Sequence, residues 1–295
     1  MQTHLTERKA EVPETLEARI GEVKPYLVIR PTAGLAALNL HEIWPYRDLL
    51  ATLAERDIKV RYKQTSLGVI WVILQPLLAA GIFSFVFGSI ANLPSDGVPY
   101  FLFAYAGMQG WTLFSNVLTR SSACLVGNAH LISKVYFPRF ILPLSTLGAI
   151  LVDFGVAMGM MAVLMVVYQV VPGWGLLLLP LWMGILTALG MGIGLWLAAL
   201  TVQYRDVAYV LPVAMQMLMY ASPIAYASSA VPERYQTLFF LNPLAGLLDA
   251  FRWSLLGVGA PRWDSLAVSA IVSVAALIFG AFAFKKMERK FADTI

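Results

Sequence analysis

The chain has 295 residues, of which 59% are hydrophobic and 13% are charged, and its mean hydropathy is +0.72. This composition excludes a soluble globular protein and indicates an integral membrane protein. The net charge of +4 is therefore interpreted as a membrane-topology signal rather than as a nucleic-acid-binding signal, and the single cysteine excludes an internal disulfide and a cysteine-based zinc site.

The N-terminal part of the chain is polar. Residues 1–38 have scattered Pro and Gly and lack the apolar core of a cleavable signal peptide, so we predict a loosely ordered cytoplasmic tail. Residues 39–64 are predicted to form an amphipathic helix along the cytoplasmic face of the membrane, because apolar residues recur at helical spacing between Leu50 and Ile58. A soluble helix packed on a partner is the alternative.

A cluster of cations separates this helix from the first long apolar run. It consists of Arg56, Lys59, Arg61 and Lys63. Cationic side chains beside a span favour the cytoplasmic side, where they meet anionic lipids. The cluster therefore places the N-terminus inside the cell and sets the direction of every later span.

Residues 65–295 are predicted to form one membrane domain with six transmembrane helices, since a span requires about 20 apolar residues. The predicted spans are Leu67–Ile90, Pro99–Leu118, Ile141–Val171, Leu176–Leu200, Val207–Tyr226 and Leu266–Phe284. Arg120–Arg139 is interpreted as a polar return between the second and third spans. The predicted fold class is an all-α integral membrane protein.

The segment Tyr235–Leu256 is apolar but is interrupted at Asn242-Pro243, so neither half is long enough to cross the membrane alone. Counting it as a seventh span would place the basic C-terminus outside the cell. Omitting it places every Lys and Arg inside except Arg234, Arg252 and Arg262, as the positive-inside rule favours. We therefore predict a re-entrant helical hairpin that enters from the outer face before the last span.

Several kinds of site are absent from the sequence or disfavoured by it. No lysine-bearing glycine loop for nucleotide phosphates is present, and the histidines lie outside the predicted spans. Gly190, Gly192 and Gly194 lie within a span, where small residues indicate close helix packing rather than a dinucleotide loop. An intramembrane enzyme acting on lipid-linked sugar is disfavoured but stays an alternative.

Asp153 is the one acidic residue inside a predicted span, and no other predicted span has an ionisable partner at mid-depth. An acid at the bilayer centre should face protein or water, because its insertion there costs ~2.5–3.5 kcal/mol. The interpretations are a proton or cation relay and a structural acid hydrogen-bonded within the bundle. A relay usually needs several such groups in line, so the sequence favours the structural role.

Two further features suggest contacts with other molecules. Aromatic and methionine residues on the first and fifth predicted spans suit a path for a neutral sugar polymer, with ordinary packing or lipid contact as the alternative. The return Leu131–Arg139 is short and mixed in character, with Tyr136 and Phe137 predicted to be exposed beside two cations. We predict that it docks a partner, with a plain interfacial anchor as the alternative.

Six segments together resemble the permease subunits of type-2 ABC transporters, and most closely the O-antigen polysaccharide exporters of the Wzm type. They are WPYRDLL (44–50), ERDIKVRYKQTSLGVIWVILQP (55–76), PSDGVPY (94–100), LISKVYFPR (131–139), QYRD (203–206) and LNPLAG (241–246). Permeases for teichoic acid, capsule or a small drug share much of this pattern and stay as alternatives. A secondary transporter or channel is a further alternative, which the scarcity of intramembrane charge disfavours.

The resemblance implies a homodimer in the bacterial inner membrane that exports lipid-linked polysaccharide from the cytoplasm to the periplasm, with both termini cytoplasmic. Each copy binds a separate ABC ATPase subunit that carries ATP and Mg, so this chain needs no catalytic residue, cofactor or metal of its own. The residues expected to dock the ATPase are Trp44, Arg47, Asp48, Leu131, Lys134, Tyr136, Phe137 and Arg139.

Three further sets of residues carry roles on the same basis. The substrate is expected to enter beside the cations Arg56, Lys59, Arg61 and Lys63. The residues expected to line the channel are Trp71, Phe83, Phe87, Met215, Met219 and Tyr220. Those expected to form an outer gate are Tyr235, Phe239, Asn242, Pro243, Asp249 and Arg252.

Overall fold

The computed structural model describes residues 43–63, 68–259 and 261–294, and all regular secondary structure in these ranges is helical. The predicted tail 1–38 lies outside them, as do the two ends of the predicted interface helix, residues 39–42 and 64. The helices are α1 (Arg47–Lys63), α2 (Gly68–Phe83), α3 (Tyr100–Gly127), α4 (Ala129–Lys134), α5 (Ile141–Val167), α6 (Leu179–Gln203), α7 (Val207–Tyr220), α8 (Glu233–Phe239), α9 (Pro243–Leu256) and α10 (Trp263–Thr294). A π-helix, Ser84–Ile90, extends α2, and 3-10 turns cover Trp44–Tyr46, Trp174–Leu178 and Ser228–Ala230.

Four helical stretches in the described ranges are long and apolar enough to cross a membrane. They are Ile70–Ile90, Ile141–Val167, Trp174–Gln203 and Trp263–Glu288. These stretches match the first, third, fourth and sixth predicted spans. Length and composition therefore support four of the six predicted spans directly, and the other two differ from the prediction.

The second predicted span forms part of α3, which continues nine residues beyond Leu118 to Gly127. This helix carries Gln109, Ser121 and Ser122, all buried, and so it falls below the hydropathy of a typical span. The fifth predicted span is shorter than expected, because α7 has 14 residues and ends at Tyr220. At 1.5 Å per residue it is about 21 Å long, less than the ~30 Å hydrocarbon core.

The bundle is organised around α3, which packs against α2, α5, α6 and α9. Phe103, Tyr105 and Phe114 on α3 are fully buried, and the Tyr105 hydroxyl donates to the Ala157 carbonyl of α5 at 3.1 Å. Because four other helices pack around α3, several of its polar residues are buried within the bundle. Its modest hydropathy is thus explained by its central position.

Helices α6 and α10 pack at close range through glycine. A Cβ atom on Gly280 would overlap the carbonyl oxygen of Gly192, and one on Gly192 would overlap the backbone at Ala276. Gly190 and Gly194 face α3 in the same way, with Phe114 O 3.0 Å and Ser121 Cβ 2.8 Å from the positions of their added Cβ atoms. The prediction that these glycines serve helix packing is confirmed.

The hairpin segment forms two helices, α8 and α9, separated at the predicted Asn242-Pro243 break. Asn242 caps α9, since its Oδ1 accepts the Leu244 amide at 3.0 Å, and its Nδ2 donates to Ser222 Oγ at 3.0 Å. Gly257 ends α9 with a φ of +68°, a conformation that favours glycine. The Asn242 side chain therefore joins the start of α9 to the residues that follow α7.

Most of α9 is buried against α3, α6 and α10. The Trp182 indole donates to Ser254 Oγ at 2.9 Å, and the Trp174 and Trp253 ring centroids are 5.0 Å apart. We call the end of the bundle that carries these contacts the α9 end. The opposite end, where α3 meets α5 through α4, is the α4 end.

Candidate functional site

A basic cleft of about 630 Å³ opens between α1, α3 and α5 at the α4 end. The residues that line it are Arg56, Asp57, Val60, Arg61, Arg120, Ala123, Cys124, Gly127, Asn128, Thr146 and Ala149. Three of these are arginines and one is an acid, so the cleft is suited to an anion. Guanidinium groups bind phosphate and carboxylate groups through paired N–H donors.

Arg56 stands at the outer part of the cleft and is held by two oxygen acceptors. Its Nη2 atom lies 2.8 Å from Asp57 Oδ1 and 2.9 Å from Asn128 Oδ1. Asn128 in turn donates to the Cys124 carbonyl at 2.9 Å, near the end of α3. These contacts fix the Arg56 guanidinium group between α1 and the end of α3.

A second group of charges adjoins the cleft and centres on Asp153, which is only 4% exposed and does not line the cleft itself. Arg61 Nη2 and Arg120 Nη2 both contact Asp153 Oδ2, at 3.0 Å and 2.9 Å. The Tyr62 hydroxyl donates to Asp153 Oδ1 at 2.5 Å. One carboxylate of α5 thus binds two side chains of α1 and one of α3.

This arrangement corrects the interpretation of Asp153 as an acid without an ionisable partner. Arg120 is not part of a polar return but lies within α3, two turns before the helix ends at Gly127. The structural role favoured by the sequence agrees with these contacts, although the partners are charged. The sequence does contain a signal for this. No Pro or Gly separates Arg120 from the apolar run that ends at Leu118, which indicates that the helix continues through Arg120.

The other two cations of the predicted cluster do not line the cleft. Lys59 binds the Glu55 carboxylate one helical turn away on α1, and this ammonium group lowers the pKa of Glu55 below its usual range. Lys63 is exposed at the end of α1. The structure therefore brings Arg56 and Arg61 together with Arg120, a residue that the sequence did not single out.

The predicted docking residues divide into exposed and internal groups. Trp44, Arg47 and Asp48 are exposed at the start of α1 and in the turn before it, Lys134 is exposed at the end of α4, and Tyr136 is exposed just after α4. Leu131 is half-buried. These exposed side chains are available to a partner.

Two predicted docking residues instead hold the loop against the bundle. Phe137 is 4% exposed, so the prediction that it is exposed is wrong, because its ring fills a space in the core. The Arg139 guanidinium donates to the Glu288 carbonyl, and the Arg139 amide donates to Glu288 Oε1 at 3.2 Å. Arg139 also lies over the Phe291 ring at 5.8 Å, and so it ties the loop to α10.

The predicted channel residues lie on α2, on its π-helical extension and on α7, all of which carry exposed side chains. On α2 the exposed side chains recur at helical spacing, as Trp71, Gln75, Leu78, Ile82 and Phe85. On α7 the corresponding set is Tyr209, Val213, Gln216, Met217 and Tyr220.

Of the other predicted channel residues, Phe83 and Phe87 are half-buried and contact each other at 5.8 Å between ring centroids. Met219 is half-buried as well. Met215 faces the core and is 7% exposed. It is therefore not part of the exposed stripe on α7.

The predicted gate residues have different environments. Tyr235 is half exposed, whereas Phe239 packs against Tyr226 with ring centroids 6.1 Å apart. Asp249 forms an ion pair with Arg252 at 3.4 Å.

Arg252 itself is buried in the bundle rather than placed at an opening. Its guanidinium group lies 3.8 Å from the Phe103 ring centroid and donates to the carbonyls of Pro223, at 2.5 Å, and Ile224, at 3.3 Å. It therefore fastens the segment after α7 to α9 and α3.

Comparison with known proteins places these features in context. The family model for ABC-2 type transporters matches residues 48–256. The O-antigen export system permease protein RfbA of Klebsiella pneumoniae is 28% identical over 252 residues, which cover 84% of this chain and 95% of that protein. The same-named protein of Myxococcus xanthus is 26% identical over 258 residues, covering 87% and 98%. The polysialic acid transport protein KpsM of Escherichia coli is 24% identical over 238 residues, covering 79% and 91%.

A bundle of long apolar helices around a central buried helix defines a polytopic α-helical membrane protein. The family match includes α2 to α9 entirely and all of α1 except Arg47. The chain therefore belongs to the ABC-2 transporter membrane family, and the resemblance inferred from its sequence is confirmed.

Proposed function

We propose that this chain is the permease subunit of an ATP-driven exporter that moves lipid-linked O-antigen polysaccharide from the cytoplasm to the periplasm. The observation that carries the proposal is the similarity to O-antigen export permeases over 95% or more of their length. The energy comes from a separate ABC ATPase subunit. The cleft between α1, α3 and α5 receives the anionic headgroup of the substrate.

In the proposed topology the chain crosses the bacterial inner membrane six times, and both termini lie in the cytoplasm. Helices α3 and α7 supply the second and fifth spans, and the α8–α9 hairpin enters from the outer face without crossing. The contacts of α9 support this topology. Trp182 of α6 binds Ser254 of α9, and Phe103 of α3 packs against Arg252 of α9, so α9 packs at the α9 end of the bundle, which is the outer end in this proposal. The contact between Arg139 and Glu288 lies at the α4 end, which is cytoplasmic in this proposal.

The proposed assembly is a homodimer whose translocation path runs between the two copies along α2 and α7. The exposed stripes on these helices support the proposal, since they combine aromatic residues, glutamines and methionine on faces that the chain itself leaves open. Aromatic faces suit stacking with sugar rings. The α8–α9 hairpin, with Tyr235 and Phe239, closes the outer end of the path.

The proposed docking surface for the ATPase combines the start of α1 with the segment after α4. Trp44, Arg47, Asp48, Lys134 and Tyr136 are the side chains exposed there. Phe137 and Arg139 support this surface from within, because they fix the loop to the core and to α10. Movement of the ATPase would then reach the bundle through elements that are anchored in it.

Deletion of the gene tests the proposal in the native host. We expect loss of O-antigen at the cell surface and accumulation of lipid-linked glycan on the cytoplasmic side. In the wild-type strain, the chain is expected to co-purify with an ABC ATPase subunit. The wild-type gene supplied in trans is the control. Loss of a capsule with intact O-antigen would instead support the alternative function of a capsule permease.

Neutralisation of Arg56 tests the role of the cleft. Arg56→Gln removes one phosphate-binding guanidinium group, and a charged hydrogen bond is worth ~1.5–3 kcal/mol, so export is expected to fall about tenfold or more. The measurement is the rate at which labelled glycan reaches the periplasm. Lys59→Gln is the matched control, because it removes one positive charge from the same helix outside the cleft; an equal loss in both variants would refute the assignment.

A further inference from the structure

Two arginines and one carboxylate meet at a single oxygen atom beside the cleft. Arg61 and Arg120 contact the same Oδ2 of Asp153, at 3.0 Å and 2.9 Å. The three charges sum to +1, so the group retains a positive charge after Asp153 is counted. Such a group attracts a further anion.

The two arginines are accessible from the cleft, whereas Asp153 is not. The side chains of Arg61 and Arg120 are 37% and 25% exposed, and both line the cleft. The Asp153 side chain is 5% exposed and does not line it. An anion that enters the cleft can therefore contact the two guanidinium groups, whereas it has no direct access to Asp153.

We propose that Asp153 competes with a phosphate group of the substrate for Arg61 and Arg120, so that headgroup binding weakens the attachment of α1 to α5. This inference rests on the proposed function, since it assigns the headgroup to the same cleft. A phosphate group offers more acceptor oxygens than a carboxylate and pairs with guanidinium groups through two parallel hydrogen bonds. The proposal adds Arg120 to the substrate-binding residues and makes Asp153 a positioning residue.

The consequence concerns α1, because Asp153 is bound by two consecutive residues at its end. Arg61 contributes the ion pair and Tyr62 the hydrogen bond, while Ala54 packs against Gly148 further along the same two helices. When Arg61 turns to the phosphate group, α1 loses one of its polar contacts with α5. The start of α1 belongs to the proposed ATPase surface, so the arrival of substrate is communicated to the ATPase.

The competition is tested by whether the affinity for pyrophosphate rises or falls when Asp153 is replaced. Inorganic pyrophosphate is titrated into the full chain with its ABC ATPase subunit in phosphatidylcholine nanodiscs, and binding is followed by calorimetry. Asp153→Asn is expected to bind pyrophosphate about tenfold more tightly, since coupling between sites of this kind is typically 5–150-fold. A purely structural role predicts weaker or unchanged binding, because the arginines lose their anchor; that result would overturn the inference.

Two further variants keep the test decisive if Asp153→Asn fails to fold. Asp153→Ser removes the same competing carboxylate with a smaller side chain, and we expect pyrophosphate binding to tighten in the same direction. Arg120→Gln is expected to abolish the binding. Unchanged affinity in both variants would contradict the proposal.

The same titration separates this inference from the proposed function and identifies the source of the phosphate. Absence of pyrophosphate binding in the wild type would remove the headgroup site and the competition together, while the deletion experiment on glycan export would stand. In nanodiscs that contain phosphatidylglycerol, reduced pyrophosphate binding would assign the cleft to a phospholipid headgroup. Unreduced binding assigns it to a pyrophosphate-linked lipid, and Asp153→Asn is expected to bind more tightly in both cases.

Discussion

Gly280→Ala is expected to destabilise the protein strongly, although the change adds a single methyl group. The new Cβ atom would overlap the Gly192 carbonyl oxygen, which is backbone and cannot rotate away. Helices α6 and α10 would have to separate, and overpacking of this kind costs ~1–3 kcal/mol or more. The thermal midpoint of the purified chain, followed as the monodisperse fraction in detergent, is expected to fall by roughly 3–10 °C.

Gly184→Ala is the matched control, because Gly184 lies on α6, the helix that Gly280 contacts, and has no neighbouring atom within 4 Å of the added Cβ position. Alanine is the better helix former by ~1 kcal/mol, so the midpoint is expected to stay the same or to rise. The same Gly→Ala substitution is therefore expected to lower the thermal midpoint at position 280 and to leave it unchanged or raise it at position 184. Equal effects at positions 184 and 280 would show that the close contact is not rigid.

Arg252→Met is expected to produce the second large effect. The variant keeps much of the side-chain volume but leaves Asp249 without its cation and the Pro223 and Ile224 carbonyls without their donor. Removal of one partner from a buried ion pair costs ~3–5 kcal/mol. We expect a fall of about 10 °C in the thermal midpoint and loss of export, because the segment after α7 is no longer held.

Arg262→Met serves as the comparison for this variant. Arg262 pairs with Asp264 at 2.9 Å, but both side chains are about half exposed or more, and water replaces the lost contact. Its thermal midpoint is expected to change little. A similar fall in both variants would mean that the effect comes from the loss of positive charge rather than from the buried contacts.

The helical architecture was largely predictable from the order of the residues. The Asn242-Pro243 break, the glycines of α6 and four long apolar stretches all follow from local chemistry, and each is found where it was predicted. These features depend on one segment and its own composition. No knowledge of the neighbouring helices is needed to recognise them.

The features that sequence analysis missed depend on which helix covers which face. Arg120 and Asp153 are 33 residues apart, and Arg61 is 92 residues from Asp153, so their meeting at one oxygen has no local signal. The burial of Phe137 and Met215 was missed for the same reason, since an aromatic or a methionine suits a core and an open surface equally. The end of α7 at Tyr220 reflects a turn that is held by Arg252, more than 25 residues away.

The Asn242 side chain makes the end of one helix depend on the start of another. Its Oδ1 caps α9 and its Nδ2 holds Ser222, just after α7, so rotation of α7 must either carry α9 with it or break the cap. Loss of an N-cap costs only ~1 kcal/mol, which thermal motion supplies readily. The Asn242 contacts therefore couple small movements of α7 to α9, and a larger movement of either helix breaks these hydrogen bonds and uncouples the two.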